Sequence, residues 1–180
     1  KISKPIQFMN DEQCNDPNDT VLHIMKTWIC AIEVIKQEEV RTVFHNADFT
    51  NAKFGMTDPD ETHVFYFVDF SDADFTNVEL VDVTFAGNNF SNAKFNNVKG
   101  GMVVFVSSNL ENVIIENFNF EIIWTQDSSL ANGDLKNGVI DSAFFIDFNL
   151  KNTDLKGTKI NELIEGGINN FECENHRICN

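Results

Sequence analysis

The chain has 180 residues, which is enough for one domain with a substantial buried core. Its 28 acidic residues outnumber 13 lysines and arginines and give a formal net charge of −15, which disfavours direct binding to nucleic acid or to an anionic membrane. No stretch reaches the roughly 20 consecutive apolar residues of a membrane-spanning helix, so no membrane segment is predicted.

The first predicted element is an N-terminal capping segment over residues 1–41. Asp19 or Thr20 can cap a helix that runs to about Glu38, and apolar residues at helical spacing favour an amphipathic helix that covers the start of the next segment. Those residues are Leu22, Met25, Trp28, Ile29, Ile32 and Ile35. A second interpretation stays open, because some apolar residues of this segment instead continue the five-residue spacing of the next one. These are Ile24, Ile29 and Val34.

Residues 42–162 are dominated by an apolar residue at every fifth position. Between residues 65 and 160 only Gly100 and Thr125 break this rule. The positions are Phe65, Phe70, Phe75, Leu80, Phe85, Phe90, Phe95, Gly100, Phe105, Leu110, Ile115, Phe120, Thr125, Leu130, Leu135, Ile140, Phe145, Leu150, Leu155 and Ile160. On a helix such a row would wander around the cylinder, and on one straight strand it would alternate between faces. The chain must therefore turn a corner every five residues and coil.

The position two before each central residue is mostly small or β-branched, as a second inward position in a narrow core requires. These residues are Ala73, Val78, Val83, Ala93, Val98, Val103, Ser108, Val113, Ser128, Gly133, Gly138, Ala143 and Thr153. Phe118 and Phe148 are exceptions that need a local adjustment.

An insertion is predicted in segment 55–63. Phe44, Phe49 and Phe54 keep the five-residue spacing but lie one residue out of phase with the later positions. The sequence Thr57-Asp58-Pro59-Asp60 indicates an exposed turn.

The last predicted element is a short C-terminal cap over residues 163–180, with a short helix over Asn161–Ile168 as an option. Four cysteines lie in pairs before and after the periodic region: Cys14, Cys30, Cys173 and Cys179. Their even number and placement favour two local disulfides, with reduced structural thiols as the alternative.

The repeated segments resemble the pentapeptide-repeat family, whose pattern is a small residue, a polar residue, Phe or Leu, and two polar residues. The resemblance is plain in Ala47–Phe54, Ser71–Leu80 and Asn89–Val98, and it covers about residues 42–162. It implies an all-β solenoid, a right-handed quadrilateral parallel β-helix with an N-terminal helical cap and a short C-terminal cap. Four pentapeptides would make one coil, so the repeats imply nearly six coils.

The implied coil also bears on the cysteines. Coils stacked at roughly 4.8 Å separate the two ends by far more than the disulfide span of about 7 Å between Cα atoms. The expected bridges are therefore Cys14–Cys30 and Cys173–Cys179.

One face of the implied coil breaks the rule of polar outward positions, and we call it the apolar face. It consists of the outward residues before and after central residues 65, 85, 105, 125 and 145, with the corner residues beside them. The candidate interface residues are Val64, Tyr66, Phe67, Met102, Val104, Val106, Ile122, Trp124, Phe144 and Ile146. The neighbouring face carries Asp69, Asn89, Asn109, Ser129 and Asn149. A contiguous apolar patch normally marks a partner surface. The alternative is that residues 1–10 or the turn near Thr57 cover it.

No catalytic constellation is visible, so an enzyme is not predicted. Cys173, His176 and Cys179 have metal-ligand spacing, but a closed zinc site needs a fourth ligand. The acidic run at residues 58–61 lacks the ligand pattern and the glycine of a calcium loop. Neither a metal nor a cofactor is predicted.

These observations favour a non-catalytic interaction or scaffold protein that binds a protein partner, or a second copy in a homodimer, through the apolar face. The paired cysteines favour a secreted, periplasmic or lumenal location, whereas reduced thiols would indicate the cytoplasm.

The family resemblance implies an alternative function, because some members are acidic mimics of duplex DNA that modulate a type II topoisomerase, DNA gyrase. Residues 42–162 carry 7 lysines and arginines against 18 acidic residues, a net charge of −11. Four lysines interrupt this acidity toward the C-terminus: Lys136, Lys151, Lys156 and Lys159.

Overall fold

The computed structural model describes residues 42–55 and 63–166, and side chains as far as residue 164. The predicted N-terminal cap, the centre of the predicted insertion and the end of the C-terminal cap lie outside these residues. All four cysteines also lie outside them. Within the described ranges, the chain has no helix of the length and apolarity that crossing a membrane requires.

Asparagine and aspartate at the corners explain why the chain coils. Non-glycine residues with φ between 47° and 64° recur along the chain, and nearly all of them are Asn or Asp. These two residue types enter the left-handed region with less strain than other non-glycine residues. At Asn92, for example, φ is 60°, and the N–H of Ala93 donates to the carbonyl of Phe90 at 2.8 Å. Each such corner ends one straight pass and starts the next.

The passes form short parallel strands. They are β1 (Lys53–Gly55), β2 (His63–Tyr66), β3 (Glu79–Val81), β4 (Val83–Ala86), β5 (Lys94–Asn96), β6 (Lys99–Val106), β7 (Ile114–Glu116), β8 (Asn119–Gln126), β9 (Asp134–Lys136), β10 (Val139–Ile146) and β11 (Lys159–Gly166).

Residues twenty apart lie side by side, which is the register of a coil with four five-residue sides. Lys99 lies beside Asn119, and Asn119 lies beside Val139. An 8-stranded sheet covers two sides, a 3-stranded sheet of β5, β7 and β9 covers the third, and isolated bridges such as Asp69 to Asn89 hold the fourth. The described chain is thus an all-β parallel solenoid of about 5 turns. The predicted fold class is confirmed, with fewer turns than the nearly six expected.

The register also measures the insertion. Lys53 lies beside Glu79, its partner 26 residues on, whereas later partners are 20 residues apart. Six extra residues are therefore accommodated between Gly55 and His63. This confirms the change of phase that the sequence predicts.

The predicted central residues fill the core. Phe70, Phe75, Phe85 and Phe90 have no exposed surface, and Phe95 is 1 % exposed. Their rings stack from coil to coil, with centroids 4.9 Å apart for Phe70 and Phe90 and 4.5 Å apart for Phe75 and Phe95. Aromatic stacking at this spacing supplements the burial of the rings.

Glycines compensate for the positions that break the inward pattern. A Cβ on Gly100 would lie 2.5 Å from the ring of Phe120, and a Cβ on Gly138 would lie 2.4 Å from the ring of Phe118. The two phenylalanines stack at 5.2 Å. Each large ring therefore fills the space that a glycine leaves in the neighbouring coil.

The optional helix over Asn161–Ile168 is wrong for the described residues, because residues 161–166 belong to β11. This strand pairs with β10 and places Leu163 beside Ala143. Leu163 thereby extends an inward column and packs against the core. The coil continues at least to Gly166.

Candidate functional site

Parallel register arranges the outward side chains of the apolar face in two columns. The column before the central residues is Val64, Thr84, Val104, Trp124, Phe144 and Ile164. The column after them is Tyr66, Ala86, Val106, Gln126, Ile146 and Gly166. The structure therefore brings the predicted interface residues together on neighbouring strands.

One part of the face, which we call the closed half, is buried. Thr84 is 0 % exposed, Ala86 is 1 %, Val104 is 8 % and Val106 is 3 %. Val104 and Val106 were expected to be accessible interface residues, and their burial removes them from the accessible surface. The accessible part of the apolar face is narrower than the sequence predicts.

The remaining part, the open half, consists of Ile122, Trp124, Phe144, Ile146 and Ile164. The first four are half-buried, and Ile164 is 43 % exposed. The rings of Trp124 and Phe144 stack with centroids 5.1 Å apart and planes 12° apart. The aromatic pair thus forms an apolar ridge along the coil with part of its surface in solvent.

Four predicted interface residues, Val64, Tyr66, Phe67 and Met102, are half-buried. Burial raises the pKa of the Tyr66 phenol above its ordinary value. Phe67 has φ 51°, and its ring occupies the space where a Cβ on Gly87 would lie. These side chains flank the closed half and fall in the same exposure range as Trp124 and Phe144.

Carboxylates line both edges of the open half, and we call them the acidic rims. Asp127 and Asp147 follow the face at one corner, and Glu121 and Asp141 precede it at the other. All four are exposed. No side chain in either column of the apolar face is charged. The open half is therefore an apolar strip between two rows of negative charge.

Several carboxylates elsewhere on the coil are neutralised by lysines of the same chain. Lys136 reaches Asp134 at 2.8 Å and Asp154 at 3.0 Å, and Lys53 reaches Glu79 at 3.1 Å. Among the residues that the structure describes, no cationic group lies within ion-pair distance of any of the four rim carboxylates. Their negative charge remains available to a partner.

A grouping of His45, Ser71 and Asp72 lacks the geometry of a catalytic triad. The Ser71 hydroxyl lies 2.9 Å from His45 Nδ1, and the Asp72 carboxylate lies 3.4 Å from the same nitrogen. In a triad the nucleophile and the carboxylate contact different ring nitrogens. These contacts instead join the first coil to the second.

Metal binding has no visible support in the described part of the chain, where no cluster of three or more potential ligands occurs.

A shallow open groove of about 600 Å³ follows the corner beside the apolar face. It is lined by Ser107, Ser108, Asn109, Glu111, Asp127, Ser128, Ser129 and Asp147. The groove is polar and lies next to one acidic rim.

Sequence reasoning missed the polar ladders of the coil. Asn77 donates to Asn51 at 3.1 Å, and Asn97 donates to Asn77 at 2.7 Å. A second ladder joins Asn89 to Asp69 at 3.1 Å, and a hydrogen bond from Ser71 lowers the pKa of the Asp69 carboxyl. The signal that could have revealed them is the recurrence of Asn or Asp every twenty residues, at corner positions such as 77, 97, 117 and 137 and at outward positions such as 69, 89 and 109.

A comparison with protein families matches residues 65–99 to pentapeptide repeats, in 8 copies. No curated protein sequence matches the chain significantly.

Several solved structures are similar to the chain at low identity. A trypsin-treated form of QnrB1, a plasmid-mediated fluoroquinolone resistance protein, is 19 % identical over 68 % of this chain and 82 % of that chain, with a TM-score of 0.37. HetL, a pentapeptide repeat protein involved in heterocyst differentiation regulation from the cyanobacterium Nostoc sp. strain PCC 7120, is 13 % identical over 69 % of this chain and 53 % of its own, with a TM-score of 0.25. The pentapeptide repeat protein Rfr23 from the cyanobacterium Cyanothece 51142 is 17 % identical over 69 % of this chain and 84 % of its own, with a TM-score of 0.26. Identity at this level says nothing about a shared function.

Proposed function

Because the chain carries pentapeptide repeats that coil into a parallel β-helix, we propose that it is a non-catalytic interaction or scaffold protein. It binds another protein through the open half of the apolar face. The observation that carries the proposal is the stacked pair Trp124 and Phe144 at outward positions, beside an Ile164 that is 43 % exposed.

Folding of the coil does not require aromatic side chains at these two positions. The core of the same passes is already filled by Thr125 and Phe145, which are 1 % and 3 % exposed. At equivalent outward positions the neighbouring face carries Ser129 and Asn149. Tryptophan at the centre of an apolar strip is a favoured anchor of protein interfaces. The two aromatic residues therefore serve an interaction.

The non-catalytic part of the proposal is supported by the described side chains. His45 contacts its serine and aspartate through a single ring nitrogen, and the groove beside the apolar face is open and shallow. A cofactor has no role in this function. The negative net charge disfavours nucleic acid and anionic lipid and is compatible with a protein partner.

The proposal is tested by capture from the native compartment with the wild type and with a Trp124→Thr/Phe144→Thr variant. Threonine keeps β-propensity and adds no charge. The matched control is Ile114→Thr/Val139→Thr, because these residues are 41 % and 37 % exposed on other sides of the coil. Sedimentation velocity of the same three proteins reports self-association.

We expect the Trp124/Phe144 variant to lose the captured protein or the dimer while the control retains it. Circular dichroism should show the same β-content in all three proteins. Equal capture and equal association by the wild type and both variants would contradict the proposal.

A second candidate, an acidic DNA mimic that modulates DNA gyrase, is favoured by the net charge of −11 over residues 42–162. Lysine pairing such as that of Lys136 with Asp134 and Asp154 reduces the acidity of one side. A supercoiling assay with purified gyrase tests it. If the protein inhibits supercoiling, and if this inhibition depends on the exposed carboxylates and not on Trp124, the DNA mimic becomes the preferred function over the interaction protein.

A further inference from the structure

We infer that the open half of the apolar face docks a basic amphipathic helix of another protein. This inference rests on the proposed function and names the chemistry of the partner. It follows from the apolar strip, from the two acidic rims and from the absence of neutralising cations beside them in the part of the chain that the structure describes.

The composition of the face sets the first requirement on a partner. Residues 121–127 and 141–147, which carry most of the open half and all four rim carboxylates, contain no Lys, Arg or His. The centre of this surface is Trp124 stacked on Phe144. A complementary partner has apolar side chains in the middle and positive charge on both flanks, because complementary potentials steer and orient binding.

The charge of the rim carboxylates sets the second requirement on a partner. Lysines of the chain neutralise Asp74, Asp134, Asp154 and Glu79 at 2.8 to 3.7 Å. In the described residues the rim carboxylates have no such counterion, although Asp141 accepts a hydrogen bond from Asn161 at 2.7 Å. Lysine or arginine from a partner can therefore pair with the rims without displacing an ion pair of the chain.

Geometry favours a helix over an extended segment. On a strand, alternate side chains point to opposite faces, so the cations next to apolar residues would point away from the rims. An amphipathic helix presents an apolar stripe with basic residues on both flanks of the same side, and lysine stems extend across apolar surface.

The dimensions of the site fit this element. The face is one side of the coil, from the corner at Ile122 to the corner at Asp127, a span of at most about 17 Å, and a helix with side chains is about 10–12 Å wide. The open half covers three passes spaced by roughly 4.8 Å, which matches about two to three turns of a helix lying along the coil.

A second copy of the chain fits the open half less well than a basic helix does, because its charges are unfavourable. A two-fold dimer through the open half would bring its acidic rims against the rims of the other copy. The neighbouring face of a second copy also fails to complement the open half, because it carries polar residues in place of an apolar stripe with basic flanks. These residues are Asp69, Asn89, Asn109, Ser129 and Asn149. Like charges opposed across an interface disfavour that association.

The test uses a labelled designed peptide of leucine and lysine at helical spacing, with binding followed by fluorescence anisotropy. Two controls are peptides: a scrambled one of the same composition, and a leucine–glutamate peptide of the same pattern.

Two protein variants carry the same change in net charge. Asp127→Asn/Asp147→Asn neutralises one rim and keeps residues that tolerate the positive φ of those corners. Asp48→Asn/Glu116→Gln is the matched control, because these two carboxylates lie on another side of the coil and have no cationic partner among the described residues.

We expect the amphipathic leucine–lysine peptide to bind the wild type more tightly than the scrambled peptide does, and added salt to weaken its binding. Rim neutralisation should weaken it about five- to tenfold, as expected for the loss of two favourable charge pairs. The Asp48/Glu116 control should change the affinity by less than about twofold, because its charges lie away from the face.

The possible failures are distinguishable. The basic-helix inference is overturned if both charge variants weaken binding of the leucine–lysine peptide equally, or if the leucine–glutamate peptide binds the wild type as tightly as the leucine–lysine peptide does. Either result leaves the apolar face as an interface. A wild-type dimer that Trp124→Thr/Phe144→Thr dissociates makes a second copy the occupant and also overturns the inference. If neither peptide binding nor capture depends on Trp124 and Phe144, the proposed function itself fails.

Discussion

Thr125 shows how one residue can break the inward pattern without breaking the fold. It occupies a central position, is 1 % exposed, and its hydroxyl has no hydrogen-bond partner. The surrounding side chains, among them Phe105, Ile123 and Phe145, are apolar and enclose a void of about 10 Å³ that offers a water no second polar side chain. An unsatisfied hydroxyl in such a place destabilises the folded chain.

We therefore expect Thr125→Val to raise the free energy of unfolding by about 1 kcal/mol, since it removes the orphaned hydroxyl at nearly constant volume. The matched control is Thr153→Val. The Thr153 hydroxyl donates to the carbonyl of Leu130 at 2.8 Å, so its removal should lower the free energy of unfolding. Urea unfolding of both variants checks this. A lower stability of Thr125→Val would show that its hydroxyl has a partner.

The stacked phenylalanines give a second prediction at this scale. Phe70→Ala or Phe90→Ala should lower the free energy of unfolding by about 3–5 kcal/mol, because each ring is fully buried between neighbouring coils that cannot easily collapse. Phe44→Ala is the control, since Phe44 continues the same column but is 41 % exposed. Denaturant melts should rank Phe44→Ala as the mildest change, and similar midpoints for all three would mean that the inward phase is misassigned.

At the scale of elements, corner residues decide whether a strand ends or continues. Asp82 has φ 49° and separates β3 from β4. One, two and three coils later the same corner position holds Met102, Ile122 and Ser142, which lie within the eight-residue strands β6, β8 and β10. The side chains of Met102 and Ile122 disfavour positive φ, so at these two corners the strand continues.

Asn112 provides a test of the corner rule, because its φ is 59°. Asn112→Ala should destabilise the coil by about 1 kcal/mol, since alanine enters the left-handed region at a cost of that order. Asn112→Gly should cost less because glycine adopts positive φ freely. Thermal unfolding of the two variants checks the order, and a more stable alanine variant would show that the corner is not the constraint.

The limits of sequence reasoning follow from the same elements. Five-residue periodicity predicted the coil and its inward phase, since only a corner every five residues keeps Phe70 to Phe95 inside. It could not predict that residues 161–166 form β11, because a short apolar segment without clear period fits a helix or a strand equally. Nor could outward position alone predict that Val104 and Val106 are buried while Trp124 is partly exposed. Exposure depends on what packs over a position, and periodicity does not encode that.

For the molecule as a whole, the paired cysteines carry a prediction that lies outside the described residues. Cys14 should pair with Cys30 and Cys173 with Cys179, because each pair is local in sequence. Each closed loop should stabilise its terminal segment by about 2–4 kcal/mol in the chain-entropy account. Peptide mapping under non-reducing conditions checks the pairing. Free thiols would also favour a cytoplasmic location over the proposed secreted, periplasmic or lumenal one.

The central claim at this scale is that the open half of the apolar face is where the protein meets a partner. Site-specific photo-cross-linking tests it most directly, with the cross-linker placed at Ile146 in one variant and at Ile114 in another. Both positions are outward on the coil, but only Ile146 lies in the open half. Our account predicts an intermolecular protein adduct from position 146 in the native compartment and none from position 114. Equal adduct yields from the two positions, or adducts from position 146 only to the chain itself, would contradict it.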